Sequence, residues 1–358
     1  MKIAVLVSGG VDSSVALKLL KDQGHDVTAF YLKIWLQDEL SFLGDCPWQE
    51  DLDYVQQVCK QLDVPLEVIP LQTEYWDRIV NHTIDQVKAG YTPNPDILCN
   101  KHIKFGAFFD KIDNSYEKVA SGHYARVTMD GDIAILSMAP DAIKDQTYFL
   151  SQMSQNQLKR ALFPLGDLDK AQVRSLAEEF NLPTKSRKDS QGICFLGKFK
   201  FSEFIKHHAG EQEGELVEVE TGKVWGSHKG FWFYTIGQRQ GLGLADGPWY
   251  VVDKDVANNI VYISRNYYSD DKRRNEFIIH SCNWLSGVRP EGDNIRVKLR
   301  HGPHMVPCTV SWISDDRAKV TLEKDDQGIA SGQYSVFYKD NVCLGSGVME
   351  RINNQVKK

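Results

Sequence analysis

Ser8-Gly9-Gly10-Val11-Asp12-Ser13-Ser14 is the stretch that decides the fold of this chain. It follows an apolar run, Lys2 to Val7, that predicts a strand, and it precedes a helical pattern that ends at Gly24. Two adjacent glycines let a backbone approach an anion closely, and the N–H groups of a helix N-terminus favour phosphate. One of the polar residues at 12–14 is expected to cap that helix. The stretch therefore predicts a phosphate-binding corner.

The spacing of this loop indicates which phosphate chemistry it serves. A kinase-type P-loop reads G-x-x-x-x-G-K-[ST], and no lysine follows these glycines in that way. Transfer of a γ-phosphoryl group is therefore the less natural interpretation. The loop better suits a pyrophosphate leaving group, that is, a nucleotide attacked at its α-phosphate. An ordinary βα turn made of small residues is the simpler alternative.

Strands alternate with helices through the first half of the sequence. After the first strand, the patterns predict strands at 26–33, 66–70 and 118–121 and helices at 50–62 and 73–89. This order is typical of a doubly wound parallel sheet that binds a nucleotide at the carboxyl ends of its strands. We expect Gly122 and His123, which follow the last of these strands, to lie at the same edge as the Ser8 loop.

After about residue 200 the pattern changes to short strands with little helix between them. The first two, at 215–219 and 223–227, are predicted to form a hairpin, and further strands are predicted at 249–253, 260–264, 295–300, 308–313, 318–322 and 334–338. Strands at this spacing are typical of small β-barrel-like modules. We expect an α/β domain at 1–205, a central small β domain at 206–272 and a C-terminal β-barrel domain at 273–358.

Composition and charge limit the classes of function. The 42 basic and 48 acidic residues give a net charge of −6, so any binding of nucleic acid has to rely on local patches. There is no apolar run of about eighteen residues and no leader pattern, which predicts a cytoplasmic protein without membrane contact. The 7 cysteines are scattered and form no C-x-x-C pair. Neither a disulfide framework nor a zinc or iron–sulfur site is therefore expected.

Two cysteines differ from the others in their surroundings. Cys99 follows a run with two prolines at 92–98, and it is expected to open a helix that carries basic residues. Cys194 lies in a turn-rich segment, and the stretch 185–200 around it holds five basic residues and one acid. Such surroundings favour the thiolate form of a cysteine, so both are candidate nucleophiles. Cys59, on the apolar face of a predicted helix, is expected to belong to the core.

Six motifs are spread in order along nearly the whole chain. They are the Ser8 loop, T-P-N-P-D-x-L-C-N at 92–100, S-G-H-Y-A-R at 121–126, K-D-Q-T-Y-F-L at 144–150, D-S-Q-G-I-C-F at 189–195 and Y-T-I-G-Q-R at 234–239. Together they resemble the tRNA-specific 2-thiouridylases. The S-G-G-x-D-S motif alone is shared with other ATP pyrophosphatases that adenylate their substrates.

The resemblance implies a fold and a set of site residues. The first domain would be an ATP-pyrophosphatase (PP-loop) domain, similar to the adenine nucleotide alpha hydrolases. ATP would bind Leu6, Val7, Ser8, Gly9, Gly10, Val11, Asp12, Ser13, Leu32 and Gly122. The catalytic residues would be Cys99 as nucleophile, Cys194 as carrier of a persulfide, and Asp96. tRNA would contact Asn94, Pro95, Asp96, His123, Lys144, Asp145, Gln146, Arg300, His301 and Gln333.

The resemblance also implies a reaction. A sulfurtransferase of this kind would use ATP with Mg²⁺ to adenylate the C2 oxygen of wobble uridine 34 in tRNAs for lysine, glutamate and glutamine. Persulfide sulfur, delivered by a sulfur-relay protein or cysteine desulfurase, would then replace that oxygen, and a Cys99–Cys194 disulfide would end the turnover. Adenylation converts the C2 oxygen, a poor leaving group, into a good one, so that a soft sulfur nucleophile can displace it. Chemistry on a base also requires it to leave the stack, and a wobble base in the anticodon stem-loop is already partly unpaired, so flipping it should cost little.

Two other interpretations stay open. An adenylating ligase or amidotransferase for a small metabolite would need only the Ser8 loop. A non-catalytic RNA-binding protein with a degenerate nucleotide fold would need neither cysteine. Two stretches depart from the family pattern: the segment 35–48, which contains Cys46, and the segment 300–304, which matches only in part.

Overall fold

The computed structural model describes residues 1–35, 48–189, 200–269, 274–326 and 329–350. The strands are β1 Lys2–Leu6, β2 Asp26–Lys33, β3 Leu66–Pro70, β4 Lys118–Ala120, β5 Ala125–Asp130, β6 Ile133–Met138, β7 Ala161–Leu162, β8 Gly214–Glu218, β9 Val224–His228, β10 Tyr250–Asp255, β11 Ile260–Ser264, β12 Glu276–Trp284, β13 Ile295–Lys298, β14 Val306–Trp312, β15 Ala318–Leu322, β16 Tyr334–Lys339 and β17 Val342–Met349. The α-helices are α1 Val11–Asp22, α2 Trp48–Leu62, α3 Gln72–Tyr75, α4 Asn81–Lys88, α5 Pro95–Cys99, α6 Phe108–Lys111, α7 Thr147–Leu150, α8 Gln155–Arg160, α9 Lys170–Glu179 and α10 Phe201–Ala209. The described residues also form two π-helices, Trp76–Val80 and Asn100–Ala107, and a 3₁₀ turn, Phe231–Phe233.

The N-terminal sheet is parallel and has the strand order β3-β2-β1-β4-β7. The chain builds the sheet outward from β1 through β2 to β3, and then returns to the other side of β1 with β4. A crevice forms where the strand order reverses, at the carboxyl ends of β1 and β4. The predicted doubly wound fold is therefore confirmed.

Both faces of this sheet are covered, as an all-parallel sheet requires. Successive side chains of a strand point to opposite faces. Ile3 and Val5 accordingly join one apolar cluster, with α1, α2 and α9, while Ala4 and Leu6 join a second cluster on the other face. The strand that leads into the Ser8 loop is thus fixed from both sides.

The long helix predicted at 73–89 is present, but it is not uniform. It begins with α3, widens into the π-helix Trp76–Val80 and continues as α4. A π turn adds a residue to one helical turn, which a search for a 3.6-residue period does not reveal.

The central module is a four-stranded sheet of order β10-β11-β8-β9 with its own apolar cluster. The predicted hairpin is present, with β8 and β9 paired antiparallel. The parallel pairing of β11 with β8 brings the two halves of the module together.

The C-terminal barrel is formed by β12 to β17, and the pairing of β12 with β17 closes it. Neither of these two strands was predicted. A bulge between His280 and Asn283 interrupts the alternation in β12, and two glycines, Gly345 and Gly347, weaken the pattern in β17.

The barrel is joined to the N-terminal domain by a shared core and by a strand. The hairpin of β5 and β6 belongs to the first half of the chain, but its Ser137 pairs with Val342 of β17. One apolar cluster contains Tyr148 and Leu150 from α7 together with Tyr334 from β16. The segments of the first domain that follow β4 are thereby held against the barrel.

Within the described ranges, no helix has both the length and the apolar character required to cross a membrane.

Candidate active site

The nucleotide loop connects β1 to α1 as expected, but its capping differs from the prediction. Gly10 is the N-cap of α1, and no side chain caps the helix. The hydroxyls of Ser13 and Ser14 instead bond back to the Gly10 carbonyl oxygen, at 3.2 and 2.8 Å. Ser13 Oγ also accepts a hydrogen bond from the Ser8 amide at 3.1 Å, which braces the loop. The start of α1 therefore presents main-chain N–H groups to an anion without a competing carboxylate cap.

Gly9 is required at its position for two reasons. Its φ of +74° lies in the left-handed region, which favours glycine. A methyl group added there would also lie 2.6 Å from the carbonyl oxygen of Asp51. Glycine at this position of the motif thus allows both the turn and the close packing of α2 against the loop.

Gly122 lies against the nucleotide loop, as the strand order predicted. An added methyl group would stand 2.8 Å from the Ser13 nitrogen and 2.9 Å from the Asp12 carbonyl carbon. Gly122 therefore packs directly on the backbone of the nucleotide loop, and a side chain there would force the loop to shift. The glycine loop and the free N–H groups at the start of α1 fit the polyphosphate of the ATP that the motif implies.

We expect Gly122→Ala to weaken ATP binding while the protein stays folded. The methyl group would press on the loop backbone at Asp12 and Ser13 and shift the N–H groups that bind phosphate, so the Kd should rise about five-fold, which corresponds to about 1 kcal/mol of binding free energy. Isothermal titration with ATP measures the change. Gly226→Ala is the control, since its added methyl group would meet only leucine side chains in the central module. An unchanged Kd in Gly122→Ala would show that the crevice is not the nucleotide site.

Packing of the chain brings cationic side chains to the nucleotide loop from residues that are distant from it in sequence. Lys170, the first residue of α9, places Nζ 2.7 and 2.9 Å from the two carboxylate oxygens of Asp12. The Tyr124 hydroxyl donates to the same carboxylate at 2.9 Å. Arg187 donates to the Gly9 carbonyl oxygen at 2.7 Å and pairs with Asp51. Sequence reasoning missed Lys170 because 158 residues separate it from Asp12, and only the packing of α9 on α1 brings them together.

Cys99 lies in a helix that begins earlier than predicted. Asn94 is the N-cap of α5, its side chain accepts a hydrogen bond from the Ile97 amide, and Pro95 occupies the first turn. Proline is favoured there because its missing N–H would be unbonded in any case. The expectation that Cys99 opens the helix is thus wrong, since Cys99 is the last residue of α5. Its side chain is fully buried, so a substrate can reach the thiol only if neighbouring groups move.

The helix continues beyond Cys99 as the π-helix Asn100–Ala107, which the sequence did not predict. Gln157 of α8 donates to the carbonyl oxygens of Lys101 and Phe105, both at 2.7 Å. Gly106 leaves room for this widened turn, because a methyl group there would lie 2.7 Å from the Lys101 oxygen. π-Helices occur frequently at functional sites, where they re-aim the side chains beside them.

The basic residues after Cys99 are partly buried. Burial lowers the pKa of Lys101, whose ammonium donates to Gln152 at 3.0 Å. Burial and then the charges of Lys101 and Arg78 lower the pKa of His102, so its imidazole is neutral at physiological pH. The electropositive character of this stretch therefore comes from the lysines.

Several residues proposed as tRNA contacts meet where the barrel joins the first domain. Gln333 donates to the Pro93 carbonyl oxygen at 3.2 Å, 240 residues away in sequence. His301 bonds to the Asp145 carbonyl oxygen at 3.1 Å, and its ring stacks on Phe149 with centroids 4.7 Å apart. The barrel thus places Gln333 beside the segment that leads to Cys99.

Other proposed contacts already have partners within the protein. Arg300 is exposed and pairs with Asp326 at 3.0 Å. Lys144 pairs with Asp189 at 2.7 Å, and the Gln146 side chain accepts from the Tyr124 amide at 3.0 Å. Their roles toward tRNA stay predictions.

Asp145 has a different environment from a surface contact. Its carboxylate is buried with Lys298 at 2.9 Å, and both side chains have no exposed area. Thr147 donates to the same carboxylate at 2.8 Å. In this conformation the Asp145 side chain does not face solvent, and its pair with Lys298 stabilises the contact between the first domain and the barrel.

His123 lies at the same edge as the loop, next to Gly122. Its Nδ1 bonds to the Ser121 hydroxyl at 2.7 Å, and its ring packs against Phe105 and Phe163. Desolvation, with the charge of Lys104, holds the pKa of His123 well below its ordinary value. The ring is therefore neutral and suited to stacking or hydrogen bonding.

The second proposed nucleophile, Cys194, and also Cys46 lie outside the described residues. Burial raises the pKa of four further thiols to about 11 or 12, which keeps them protonated and unreactive: Cys59, Cys282, Cys308 and Cys343. The prediction that Cys59 belongs to the core is confirmed, because it lies in the cluster under α1 and α2. The part of the chain that is described holds no group of three or more histidine, cysteine or acidic side chains arranged for a metal ion.

Three protein-family models match consecutive parts of the chain. Residues 1–198 match the "tRNA methyl transferase HUP domain". Residues 202–265 match the "tRNA methyl transferase PRC-barrel domain", and residues 274–349 match the "Aminomethyltransferase beta-barrel domain". The three matches correspond to the N-terminal α/β domain, the central module and the C-terminal barrel.

Proteins named "tRNA-specific 2-thiouridylase MnmA" are similar to the chain along its length. The one from Parabacteroides distasonis is 45% identical and covers 98% of this chain and 99% of its own. One from Porphyromonas gingivalis is 40% identical with coverage of 98% and 99%. A solved 4-thiouridine synthetase–RNA complex with bound ATP covers 58% of this chain and 50% of its own, at 14% identity and a TM-score of 0.35.

Proposed function

The chain belongs to the tRNA-specific 2-thiouridylase family, and from this we propose that it is a sulfurtransferase that uses ATP to convert a uridine of tRNA to 2-thiouridine. The observation that carries the proposal is the glycine loop at the start of α1, with Gly122 packed against its backbone, in the same domain as Cys99. The loop provides the site for the nucleotide, and the thiol belongs to the helix capped by Asn94. One domain thus brings together the two requirements of the reaction.

The nucleotide loop activates the base. The C2 oxygen of the uridine attacks the α-phosphorus of ATP, pyrophosphate leaves, and the base becomes an O-adenylated electrophile. The main-chain N–H groups at the start of α1 and the ammonium of Lys170 are placed to bind the anionic end of the nucleotide. Mg²⁺ would arrive with the ATP.

Sulfur then replaces the activated oxygen. The outer sulfur of a persulfide on Cys194 attacks C2, and AMP leaves with the former C2 oxygen. The thiolate of Cys99 next attacks the Cys194 sulfur, which breaks the sulfur–sulfur bond to the base and releases 2-thiouridine. The two cysteines are thereby oxidised to a disulfide, which a dithiol must reduce before the next turnover. A sulfur-relay protein or cysteine desulfurase would supply the persulfide.

The remaining residues position the RNA. Asn94 is already fixed as the cap of α5, and Asp96 follows it within the first helical turn. Asp96 is suited to act as general acid or base beside the uridine. Gln333, bonded to Pro93, would bind the anticodon stem-loop from the barrel side. The wobble uridine of tRNAs for lysine, glutamate and glutamine is the proposed target.

The two alternatives explain less of the chain. A small-molecule ligase would leave the barrel and its contacts with the 92–94 segment without a function. A non-catalytic RNA-binding protein would have no need for the Gly9 and Gly122 positions, which a side chain would obstruct. The thiouridylase accounts for the loop, the Cys99 helix and the barrel together.

Nucleoside mass spectrometry tests the proposed function. Unmodified tRNA is incubated with the full-length protein, Mg-ATP and a persulfide donor, and its nucleosides are then separated and weighed. We expect 2-thiouridine to appear only when both ATP and the donor are present. A methylated nucleoside formed with S-adenosylmethionine, or ATP–pyrophosphate exchange driven by a small metabolite without RNA, would contradict the proposal.

A further inference from the structure

A cluster of charged side chains connects the nucleotide loop to Asp189. Lys144 Nζ lies 2.7 Å from one carboxylate oxygen of Asp189, and Lys170 Nζ lies 2.8 Å from the other. Arg174, one helical turn after Lys170 in α9, also donates to the second oxygen. One carboxylate therefore holds three cationic side chains together.

The same cluster is part of the nucleotide loop. Lys170 is shared, because its ammonium lies within hydrogen-bond distance of both Asp12 and Asp189. The Lys170 side chain is only 15% exposed, so its ion pairs are screened less than surface pairs. Arg174 additionally donates to the Arg187 carbonyl oxygen, and the Arg187 guanidinium reaches the Gly9 carbonyl oxygen. Loop, α9 and the segment 185–189 form one hydrogen-bonded unit.

Asp189 is ionised in this cluster. Its partial burial raises the pKa, but hydrogen bonds and charges from Lys144 and Lys170 outweigh that effect, so the net pKa is well below the ordinary value. A fixed carboxylate that accepts from two lysines and an arginine presents the same chemistry as a phosphate group, since both offer anionic oxygens that these donors prefer.

We propose that the Asp189 carboxylate occupies the place on Lys144, Lys170 and Arg174 that the polyphosphate of a bound nucleotide takes. Nucleotide and Asp189 then compete for the same donors. Binding of the nucleotide releases Asp189. Occupancy of the nucleotide loop and the contacts of the segment 185–189 therefore depend on each other. In sequence, Asp189 precedes Cys194, the proposed carrier of the persulfide, by five positions (194 − 189). The inference rests on the proposed function for its biological meaning, but not for its test.

The exchange predicts opposite effects for two substitutions. Asp189→Asn removes the competing charge and should tighten the binding of Mg-ATP and of inorganic pyrophosphate by about ten-fold, the usual size of a coupling between two sites. Lys170→Met removes a shared donor and should weaken both ligands. When Asp189→Asn is combined with Lys170→Met, the gain in affinity from Asp189→Asn should shrink, because a main donor to the ligand is gone.

Isothermal titration of the full-length protein, without tRNA or persulfide, measures these affinities. Asp167→Asn is the matched control, since it removes one negative charge from an exposed pair with Arg126 and should leave both affinities unchanged. An Asp189→Asn variant that binds pyrophosphate no more tightly than the parent protein would overturn the proposal, as would an equal gain in Asp167→Asn. If the affinities shift as expected but the parent protein makes no 2-thiouridine, the exchange stands and the proposed function fails.

Discussion

Cys99→Ser is expected to abolish the formation of 2-thiouridine and to leave ATP binding intact. A serine hydroxyl is neither acidic nor nucleophilic enough to cleave the persulfide bond to the base, so product should fall by about a thousand-fold or more. The nucleotide crevice should persist, because Cys99 packs in the apolar cluster on one face of the sheet and makes no part of the Ser8 loop. Quantification of 2-thiouridine and titration with ATP give the two readouts.

The control must separate loss of a nucleophile from loss of packing. Cys343→Ser is suitable, because Cys343 is also buried in the same apolar cluster, and burial raises its pKa to about 12. A hydroxyl is costlier to bury than a thiol, so a loss of about 0.5–3 kcal/mol and similar decreases in Tm are expected in the two variants. Thiolation near the parent rate in Cys99→Ser would contradict the two-thiol mechanism, and loss of thiolation in Cys343→Ser would point to instability as the cause.

Lys298→Met is expected to lower the free energy of unfolding by about 3–5 kcal/mol, the usual cost of leaving a buried carboxylate without its cation. Asp145 and Lys298 have no exposed side-chain area, and their pair joins the segment just before α7 of the first domain to β13 of the barrel. Urea denaturation followed by tryptophan fluorescence measures the change. The variant should therefore loosen the contact between barrel and first domain.

Two further variants test whether the ion pair is the cause. Asp145→Asn combined with Lys298→Met removes both charges and should recover part of the lost stability. Arg289→Met breaks an exposed pair with Asp315 and should have little effect. A stability of Lys298→Met close to that of the parent protein would show that water reaches the pair in solution.

The sequence predicted the nucleotide corner because its signals are local. Strand, double glycine and helix follow each other within residues 2–22, and the strand order then places Gly122 beside the loop. The two barrels were also predicted from short alternating strands, although β12 and β17 were missed where a bulge and glycines interrupt the alternation.

The rest of the site depends on long-range packing and on caps. Lys170 reaches Asp12 only through the contact of α9 with α1, which no local pattern records. The Cys99 helix starts earlier than predicted because the two prolines before Cys99 indicated a non-helical approach, whereas Asn94 and Pro95 act as N-cap and first helical residue. Asp145 was assigned to RNA by resemblance, whereas its partner, Lys298, lies 153 residues away in the barrel.

The fate of the uridine C2 oxygen tests the central claim most directly. Transfer RNA carrying oxygen-18 at C2 of the target uridine is taken through a single turnover with ATP and a persulfide donor, and the AMP is analysed by mass spectrometry. Adenylation followed by displacement predicts one labelled oxygen in the phosphate of AMP for each 2-thiouridine formed. Formation of 2-thiouridine with unlabelled AMP would contradict the account.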